Sequence, residues 1–351
     1  MVETLFSNLP TPRSTCSKSC VPGYRKVALE GQPKCCYDCI LCSEGQISNI
    51  TDADNCFKCP EDHWPDKSRA MCIPRSIEFL SFDDPLGGGM AAVSLFFTML
   101  TLAVLCIFRK HNDTPVVKAN NQNLSYILLL SLALCFLSAL LFIGRPLTIT
   151  CQLRQAAFGI IFTIAVSCVL AKTFTVIIAF SATRPNSRLR NWVGTRVSSS
   201  IVILGTFGEV VICIVWLVWA PPFQDYDTQS MRDKIIIQCN EGSVMLFYLA
   251  IGYMGFLAML SFMLAFMARK LPNTFNEAQY ITFSMLLVCS VWILFIPVYL
   301  STRGKYTVVV EIFTIVASSM GLLCCIFIPK CYIILLRSDL NTKKKLLNIK
   351  Q

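Results

Sequence analysis

Charged residues are scarce in this chain: Asp, Glu, Lys and Arg make up 15% of the 351 residues, while hydrophobic residues make up 54%. Soluble domains carry about 25% charged residues, so this composition favours a membrane protein over a soluble enzyme. Histidine is also rare, with two in the whole sequence, His63 and His111. Histidine-based catalysis and a histidine-rich metal cluster are therefore not expected.

The sequence also lacks the short motifs of common enzymes. It has no G-x-S-x-G nucleophile elbow, and its Gly87-Gly88-Gly89 run leads straight into an apolar segment instead of a phosphate-binding turn. The net charge of +10 is spread between apolar segments and forms no single basic patch, which argues against nucleic-acid binding. We expect no enzyme activity, no metal and no cofactor.

What the chain has in abundance is long apolar segments. Seven of them reach the roughly 20 residues needed to cross a bilayer. Each is expected to be helical, because hydrocarbon offers no partner for backbone polar groups. The predicted spans are 88–108, 124–143, 151–180, 197–220, 244–268, 280–300 and 307–328.

The distribution of Lys and Arg predicts the orientation of these spans. With the N-terminal region outside, the inner loops and tail hold about three times as many basic residues as the outer loops. We therefore expect a multi-pass plasma-membrane protein with an extracellular N-terminus and a cytoplasmic C-terminus. The run Lys343-Lys344-Lys345 is either a contact with anionic membrane lipid or a solvated charge run.

Export of the N-terminal region has two explanations. Residues 1–10 lack an apolar stretch long enough for a signal peptide. Either the first span is an uncleaved anchor, or the chain is the tail of a longer precursor.

Nine of the 19 cysteines lie in one short region before the first span. This region has few large apolar residues, so it needs disulfides or a metal to fold. Its C-x-x-C spacings also suit zinc, but the predicted extracellular location favours disulfides. Eight cysteines can pair in 105 ways, and the ninth is expected to have a partner elsewhere. Asn49-Ile-Thr51 is a glycosylation sequon on the predicted outside.

Four stretches of this region resemble the cysteine-rich domain of family C G-protein-coupled receptors. They are Cys16-Ser-Lys-Ser-Cys20, Gly23-Tyr-Arg-Lys, Cys35-Cys36-Tyr-Asp-Cys39-Ile-Leu-Cys42 and Cys56-Phe-Lys-Cys59-Pro. The likeness is to the type-2 vomeronasal group in particular and covers about residues 12–345. In that family a large ligand-binding Venus-flytrap domain precedes the cysteine-rich domain, so the sequence resembles the C-terminal part of a full receptor.

The resemblance implies a disulfide pattern. The implied pairs are Cys16–Cys36, Cys20–Cys39, Cys42–Cys56 and Cys59–Cys72. Cys35 would be the cysteine that bonds to the flytrap domain in full receptors.

The expected fold is mainly α: a seven-transmembrane helix bundle preceded by a small disulfide-rich β/loop cysteine-rich domain. The expected division is an N-terminal segment (1–15), the cysteine-rich domain (16–75), a linker (76–87), the helical domain (88–330) and a cytoplasmic tail (331–351). Cys151 and Cys239 both fall on the predicted outside, where a disulfide would hold the long outer loop over the bundle. The alternative is two unpaired thiols.

Three ionisable residues within or beside the spans call for an explanation. Lys172 and Glu277 lie near the cytoplasmic ends of the third and sixth spans, and they either pair or reach water independently. The resemblance implies a pair that locks the inactive state. Glu209 lies midway along the fourth span, where relatives have an uncharged residue, and we assign it no role.

Trp292 precedes Pro297 in the sixth span. A proline bends a helix, so the ring could move with that bend, although a tryptophan taken alone is more often a core-packing residue. The resemblance implies a movable contact at the floor of a transmembrane pocket. It also implies G-protein contacts in the inner loops, at Arg184, Arg188, Arg190 and Phe275.

We identify the sequence as a member of family C and expect it to transmit an extracellular conformational change to a heterotrimeric G protein. The resemblance further implies pheromone sensing, an inhibitory-type G protein, and a dimer with itself or a related receptor. One alternative is an amino-acid, calcium or taste receptor of the same family. Another is a truncated, non-signalling membrane partner that escorts full-length receptors. A transporter or channel is disfavoured, because no broken helices occur in matching halves.

Overall fold

The computed structural model describes residues 16–114, 117, 121–181, 195–228, 230–231, 233–269 and 277–336. The chain divides into two compact units. The first contains Met1–Ile77 and Asp227–Ile236, and the second contains Glu78–Tyr226 and Ile237–Gln351.

Short antiparallel strand pairs build the first unit. Strand β1 (Tyr24–Ala28) pairs with β2 (Tyr37–Leu41), β3 (Gln46–Ile47) with β4 (Phe57–Lys58), and β5 (His63–Pro65) with β6 (Cys72–Pro74), and β7 (Ser76–Glu78) follows. The buried hydrophobic side chains here are mainly cysteines, whereas larger apolar residues such as Phe57 and Met71 are exposed. Covalent crosslinks therefore replace an apolar core in holding this unit together.

Seven long helices make up most of the described part of the second unit. They are α1 (Pro85–Lys110), α2 (Gln122–Ala139), α3 (Thr148–Ser181), α4 (Thr195–Trp219), α5 (Val244–Ala268), α6 (Glu277–Ser301) and α7 (Lys305–Leu336). A single 3-10 turn, Leu140–Phe142, follows α2, and strands β8 (Phe223–Asp227) and β9 (Lys234–Asn240) lie side by side between α4 and α5. All seven helices are long and apolar enough to cross a membrane, which confirms the predicted seven-helix fold.

Helix α3 lies at the centre of the bundle, since it packs against α2, α4 and α5. In the apolar windows of α2, α3 and α7, 61% of residues are buried, against 22% in α4. The core includes the fully buried rings of Phe136, Phe162 and Phe327, on α2, α3 and α7. Helix α4 therefore presents most of its surface outward, where lipid would cover it.

Several helices extend past the apolar segments that predicted them. Helix α1 begins at Pro85, three residues before the expected span, because proline suits the first turn of a helix. Helix α7 continues to Leu336 and so includes the first part of the expected tail. A helix keeps its hydrogen bonds beyond the hydrocarbon layer, so apolar length underestimates helix length.

Candidate functional site

Four disulfides crosslink the cysteine-rich module. They are Cys16–Cys36, Cys20–Cys39, Cys42–Cys56 and Cys59–Cys72, the same pairs that the family resemblance implies. Cys35 is a free and exposed thiol, directly beside the buried Cys36. Asn49 of the glycosylation sequon is exposed as well. Among the described residues, no group of three or more His, Cys, Asp or Glu side chains could hold a metal ion.

A fifth disulfide joins the start of α3 to the strand that precedes α5. Cys151 lies in the first turn of α3 and bonds to Cys239 of β9. This bond holds the segment that follows β9 against the N-terminal end of α3. The segment includes Glu241, whose carboxyl group contacts Gln155 of α3.

About one helical turn after Cys151, α3 contributes to a cluster of polar side chains. Gln155 Nε2 on α3 donates to Glu241 Oε1 at 3.4 Å and to Glu311 Oε1 on α7 at 3.0 Å. The Arg154 guanidinium lies 3.8 Å from Glu311 Oε2, with both side chains almost fully buried. We call Arg154, Gln155, Glu241 and Glu311 the outer cluster. No sequence motif marks these residues, although Arg154 and Glu311 are ionisable groups inside apolar spans, and such groups mark functional positions.

Burial shapes the chemistry of Glu241, which lies just outside the membrane-spanning segment of α5. Its Oε2 atom is inaccessible and accepts no hydrogen bond from the described residues. Removal from water, with added repulsion from Glu311, raises the pKa of Glu241 to about 8, and the nearby Arg154 opposes this rise. The carboxyl group therefore holds its proton more tightly than an exposed glutamate.

A small cavity of about 30 Å³ lies between the helices, and Gln155 and Glu311 of the outer cluster line part of it. Trp292 of α6 lines it and stacks against Phe158 of α3, with ring centroids 6.0 Å apart and planes 14° apart. The same ring lies 5.6 Å from Phe162 and 5.5 Å from Phe295. Trp292 therefore packs against α3 and also forms part of the cavity wall. A movement of α6 would shift its ring against Phe158 of α3.

Glu209 of α4 also reaches this cavity. It is completely buried, and the thiol of Cys213, one turn along the helix, donates to its Oε1 atom at 3.8 Å. Gly159 of α3 leaves room for the carboxyl group, because a Cβ atom there would lie 2.9 Å from Oε1.

Lys172 lies farther along α3 and is 3% exposed. Its Nζ atom donates to Ser125 Oγ on α2 at 2.7 Å. The Glu277 side chain lies outside the described residues, so the expected pair with Lys172 remains a prediction. The expected G-protein contacts also lie outside the described residues: Arg184, Arg188, Arg190 and Phe275.

Comparisons with known proteins place this geometry in a family. The family described as "7 transmembrane sweet-taste receptor of 3 GCPR" matches residues 80–330. The chain belongs to family 3 of the G-protein-coupled receptors. A second family, described as "Nine Cysteines Domain of family 3 GPCR", matches residues 11–65. Family 3 is the family C of the sequence analysis, so that identification is confirmed.

Curated relatives within family 3 include receptors of different sensory roles. The chain is 52% identical over 335 residues to the vomeronasal type-2 receptor 26 of Mus musculus, covering 95% of this chain and 39% of the relative. It is 49% identical over 342 residues to the vomeronasal type-2 receptor 116 of Mus musculus, with 97% and 40% covered. It is 48% identical over 332 residues to the extracellular calcium-sensing receptor of Homo sapiens, with 94% and 31% covered.

These matches have three consequences. The chain spans about two fifths of the length of the vomeronasal relatives. As family 3 members, such chains are multi-pass membrane receptors and not enzymes as a class. The alternative of a non-signalling escort is not favoured by the matches.

Proposed function

We propose that this chain transmits an extracellular conformational change to a heterotrimeric G protein on the cytoplasmic side. The observation that carries the proposal is that one helix, α3, holds a functional contact at each depth of the bundle. Its 34 residues span about 50 Å at about 1.5 Å per residue. From its outer to its inner end it presents Cys151, Arg154, Phe158, Phe162 and Lys172.

These contacts connect α3 to the helices that would move. The outer cluster links it to α7 through Glu311, and the aromatic stack links it to α6 through Trp292. A ligand or an ectodomain can act only by favouring one of two arrangements of such contacts. We propose that Trp292 is the movable contact of the cavity wall and that Lys172 with Glu277 holds the inactive arrangement at the inner ends of α3 and α6.

The remaining roles follow from family membership. We propose an extracellular N-terminus, a cytoplasmic C-terminus, a plasma-membrane location and a dimer with itself or a related receptor. Cys35 would bond to a preceding ligand-binding domain, and the inner-loop contacts with the G protein would be Arg184, Arg188, Arg190 and Phe275. We propose pheromone sensing through an inhibitory-type G protein; the 52% identity to a vomeronasal type-2 receptor supports the vomeronasal part of this proposal.

We also propose a division of labour along the chain. The segment 16–75 receives the signal, 76–87 links it to the bundle, 88–330 transmits it, and 331–351 lies in the cytosol beside membrane lipid. Such transmission requires a rigid, crosslinked extracellular domain. A flexible domain would change its own shape instead of moving the helices. The four disulfides of the cysteine-rich module meet that need.

The test is nucleotide exchange on a purified G protein in nanodiscs. One sample contains this chain alone, and a second contains the chain fused to the ligand-binding domain of the human extracellular calcium-sensing receptor, with calcium as the added probe. We expect calcium to raise exchange in the fusion several-fold. A matched fusion with Arg184, Arg188 and Arg190 all changed to alanine should keep its folding and lose the response.

Each outcome separates the two interpretations. A calcium response that depends on the inner-loop arginines supports signalling. A folded, surface-exposed fusion that shows no basal or calcium-evoked exchange would overturn the proposal and favour the escort role.

A further inference from the structure

A groove on the outer surface of the bundle lies between the C-terminal end of α1 and the N-terminal end of α2. Its volume is about 640 Å³, which falls within the usual range of small-molecule sites, about 300–1,000 Å³. The groove shares no residue with the cavity beside Trp292. The proposed signalling mechanism does not use it, so its shape and chemistry need an explanation of their own.

The lining of the groove changes from polar to apolar along the two helices. The polar side chains at the end nearest the connection between the helices are Arg109, Asn112 and Gln122. The apolar side chains farther along the helices are Leu105, Ile127 and Leu130. A phospholipid has the same order of parts, with a charged headgroup at one end and hydrocarbon chains at the other.

Hydrogen bonds between the helices hold the polar end of the groove in place. The Tyr126 hydroxyl of α2 donates to Phe108 O in the last turn of α1 at 3.3 Å. Gln122 Nε2 donates to the same hydroxyl oxygen at 3.1 Å. Tyr126 and Gln122 both line the groove, so its wall is formed before any ligand arrives. A preformed site lowers the entropy cost of binding.

The charge at the polar end favours an anion. Arg109 is exposed and makes no hydrogen bond or ion pair with another residue of the described ranges. Between positions 109 and 122 the sequence has three basic residues and one acid, Asp113, which does not line the groove. The first turn of α2 also has no acidic residue, so the partial positive charge of that helix end is not neutralised by one.

We propose that this groove binds an anionic phospholipid of the cytoplasmic leaflet. The Arg109 guanidinium would donate two parallel hydrogen bonds to the phosphate oxygens, and an acyl chain would lie along Leu105, Ile127 and Leu130. In the proposed topology this end of α1 faces the cytosol, where the leaflet carries anionic lipids. The leaflet rests on the proposed orientation, whereas the binding does not depend on it or on a G protein, so the two proposals can fail separately.

The test counts the lipids that the whole chain retains in detergent, by native mass spectrometry. The chain is mixed with equal amounts of dioleoylphosphatidylserine and dioleoylphosphatidylcholine, which have the same acyl chains and differ in net charge. We expect the anionic lipid to be retained several-fold more. Glycerophosphoserine, the same headgroup without acyl chains, should not displace it, because the groove also binds a chain.

Two pairs of variants locate the site. Arg109→Gln should lower the preference for the anionic lipid about fivefold, whereas Lys110→Gln removes the same charge outside the groove and should lower it less. Cys106→Trp should fill the groove and reduce retention with every charge kept. Met99→Trp is its control, at an exposed position of α1 outside the groove. All four side chains are exposed, so the variants should fold, and circular dichroism checks this.

The outcomes decide the proposal in either direction. Lower retention in Arg109→Gln and Cys106→Trp, with Lys110→Gln and Met99→Trp close to the parent, supports it. Equal retention of the two lipids by the parent overturns it. Equal losses in Arg109→Gln and Lys110→Gln overturn it as well, because they show diffuse attraction to the basic end of α1. Displacement by glycerophosphoserine, or full retention in Cys106→Trp, would show a headgroup contact without the groove and would also overturn it.

Discussion

The buried ionisable side chains are the main candidates for functional residues in this bundle. An ionised side chain at the centre of a bilayer is unfavourable by about 2.5–3.5 kcal/mol on insertion scales, so each one requires a partner. Arg154 and Glu311 provide partners for one another, and Gln155 adds a hydrogen bond. Lys172 instead uses the hydroxyl of Ser125. The two sites therefore involve different kinds of partner, an ion pair in one and a neutral hydroxyl group in the other. Substitutions at each site can measure the effect of removing that partner.

Neutralising Lys172 should raise basal signalling. In the calcium-responsive fusion, we expect Lys172→Met to raise exchange without ligand several-fold, because the charge no longer holds the inner ends of α3 and α6 together. Ser125→Ala is the control: it removes the 2.7 Å hydrogen bond and keeps the charge, so its effect should be smaller. Basal exchange that stays unchanged in Lys172→Met would remove the lock from the mechanism.

Glu241 should make thermal stability depend on pH. Its folded pKa of about 8 exceeds the value of about 4.3 in an unfolded chain, because burial and Glu311 disfavour its charge. The folded state therefore binds the proton more tightly, and stability is greatest at low pH and declines as pH rises from about 4.3 through about 8.

The measurement is the melting temperature of the detergent-purified chain between pH 5 and pH 9. We expect Glu241→Gln to flatten the decline, while Asp83→Asn, at an exposed acid, leaves the profile as it is in the parent. An identical decline in Glu241→Gln would show that another group is responsible.

At the scale of elements, close helix contacts depend on glycine. A Cβ atom on Gly208 of α4 would lie 2.3 Å from the hydroxyl oxygen of Tyr253 on α5. That hydroxyl donates to Gly205 O at 2.8 Å, so it ties the two helices together. The contact between α4 and α5 therefore has no room for another carbon.

We expect Gly208→Ala to destabilise the bundle by about 1–3 kcal/mol, the usual effect of overpacking. Gly252→Ala is the matched control on α5, because its Cβ would meet no atom within 4 Å. Both changes raise helix propensity alike, so the difference between their unfolding free energies isolates the packing effect. Equal unfolding free energies of the two variants would show that α4 and α5 can move apart and accommodate the added methyl group without loss of stability.

In the cysteine-rich module, a disulfide-bonded cysteine can be compared with a free one. Cys16→Ser should destabilise the module by about 2–5 kcal/mol and leave the Cys36 thiol free. Cys35→Ser should leave all four disulfides and their stability in place, because Cys35 is free and exposed. Mass mapping without reduction checks both, and a Cys35 bond inside the module would contradict the assignment.

For the whole molecule, the orientation in the membrane is the property to test. Three sequons have an exposed asparagine: Asn49-Ile-Thr51 in the cysteine-rich module, Asn112-Asp-Thr114 after α1, and Asn123-Leu-Ser125 at the start of α2. In the proposed topology the first lies outside the cell and the other two lie on the cytoplasmic side. We expect glycan at Asn49 alone, detected as a mobility shift that Asn49→Gln abolishes and Asn112→Gln leaves unchanged. Glycan at Asn112 instead would reverse the topology.

The sequence by itself determined the class of this protein. Apolar segments of about 20 residues can cross a bilayer only as helices, so seven of them predicted the bundle directly. A cysteine-dense, apolar-poor region can fold only with staples, so its composition predicted the crosslinked module. Spacing alone left 105 possible pairings of eight cysteines, and the choice among them came from family resemblance.

Only the tertiary structure decided which side chains meet. Gln155 and Glu311 are 156 positions apart, yet they form one hydrogen bond near the N-terminal ends of α3 and α7. The sequence alone favoured core packing for Trp292, whereas the structure shows it both stacked on Phe158 and lining the cavity. The physical reason is that hydropathy records only whether a helix is buried in lipid. The face each helix turns inward is set by packing against its neighbours, and the partners of Glu209, Glu311 and Lys172 depend on that face.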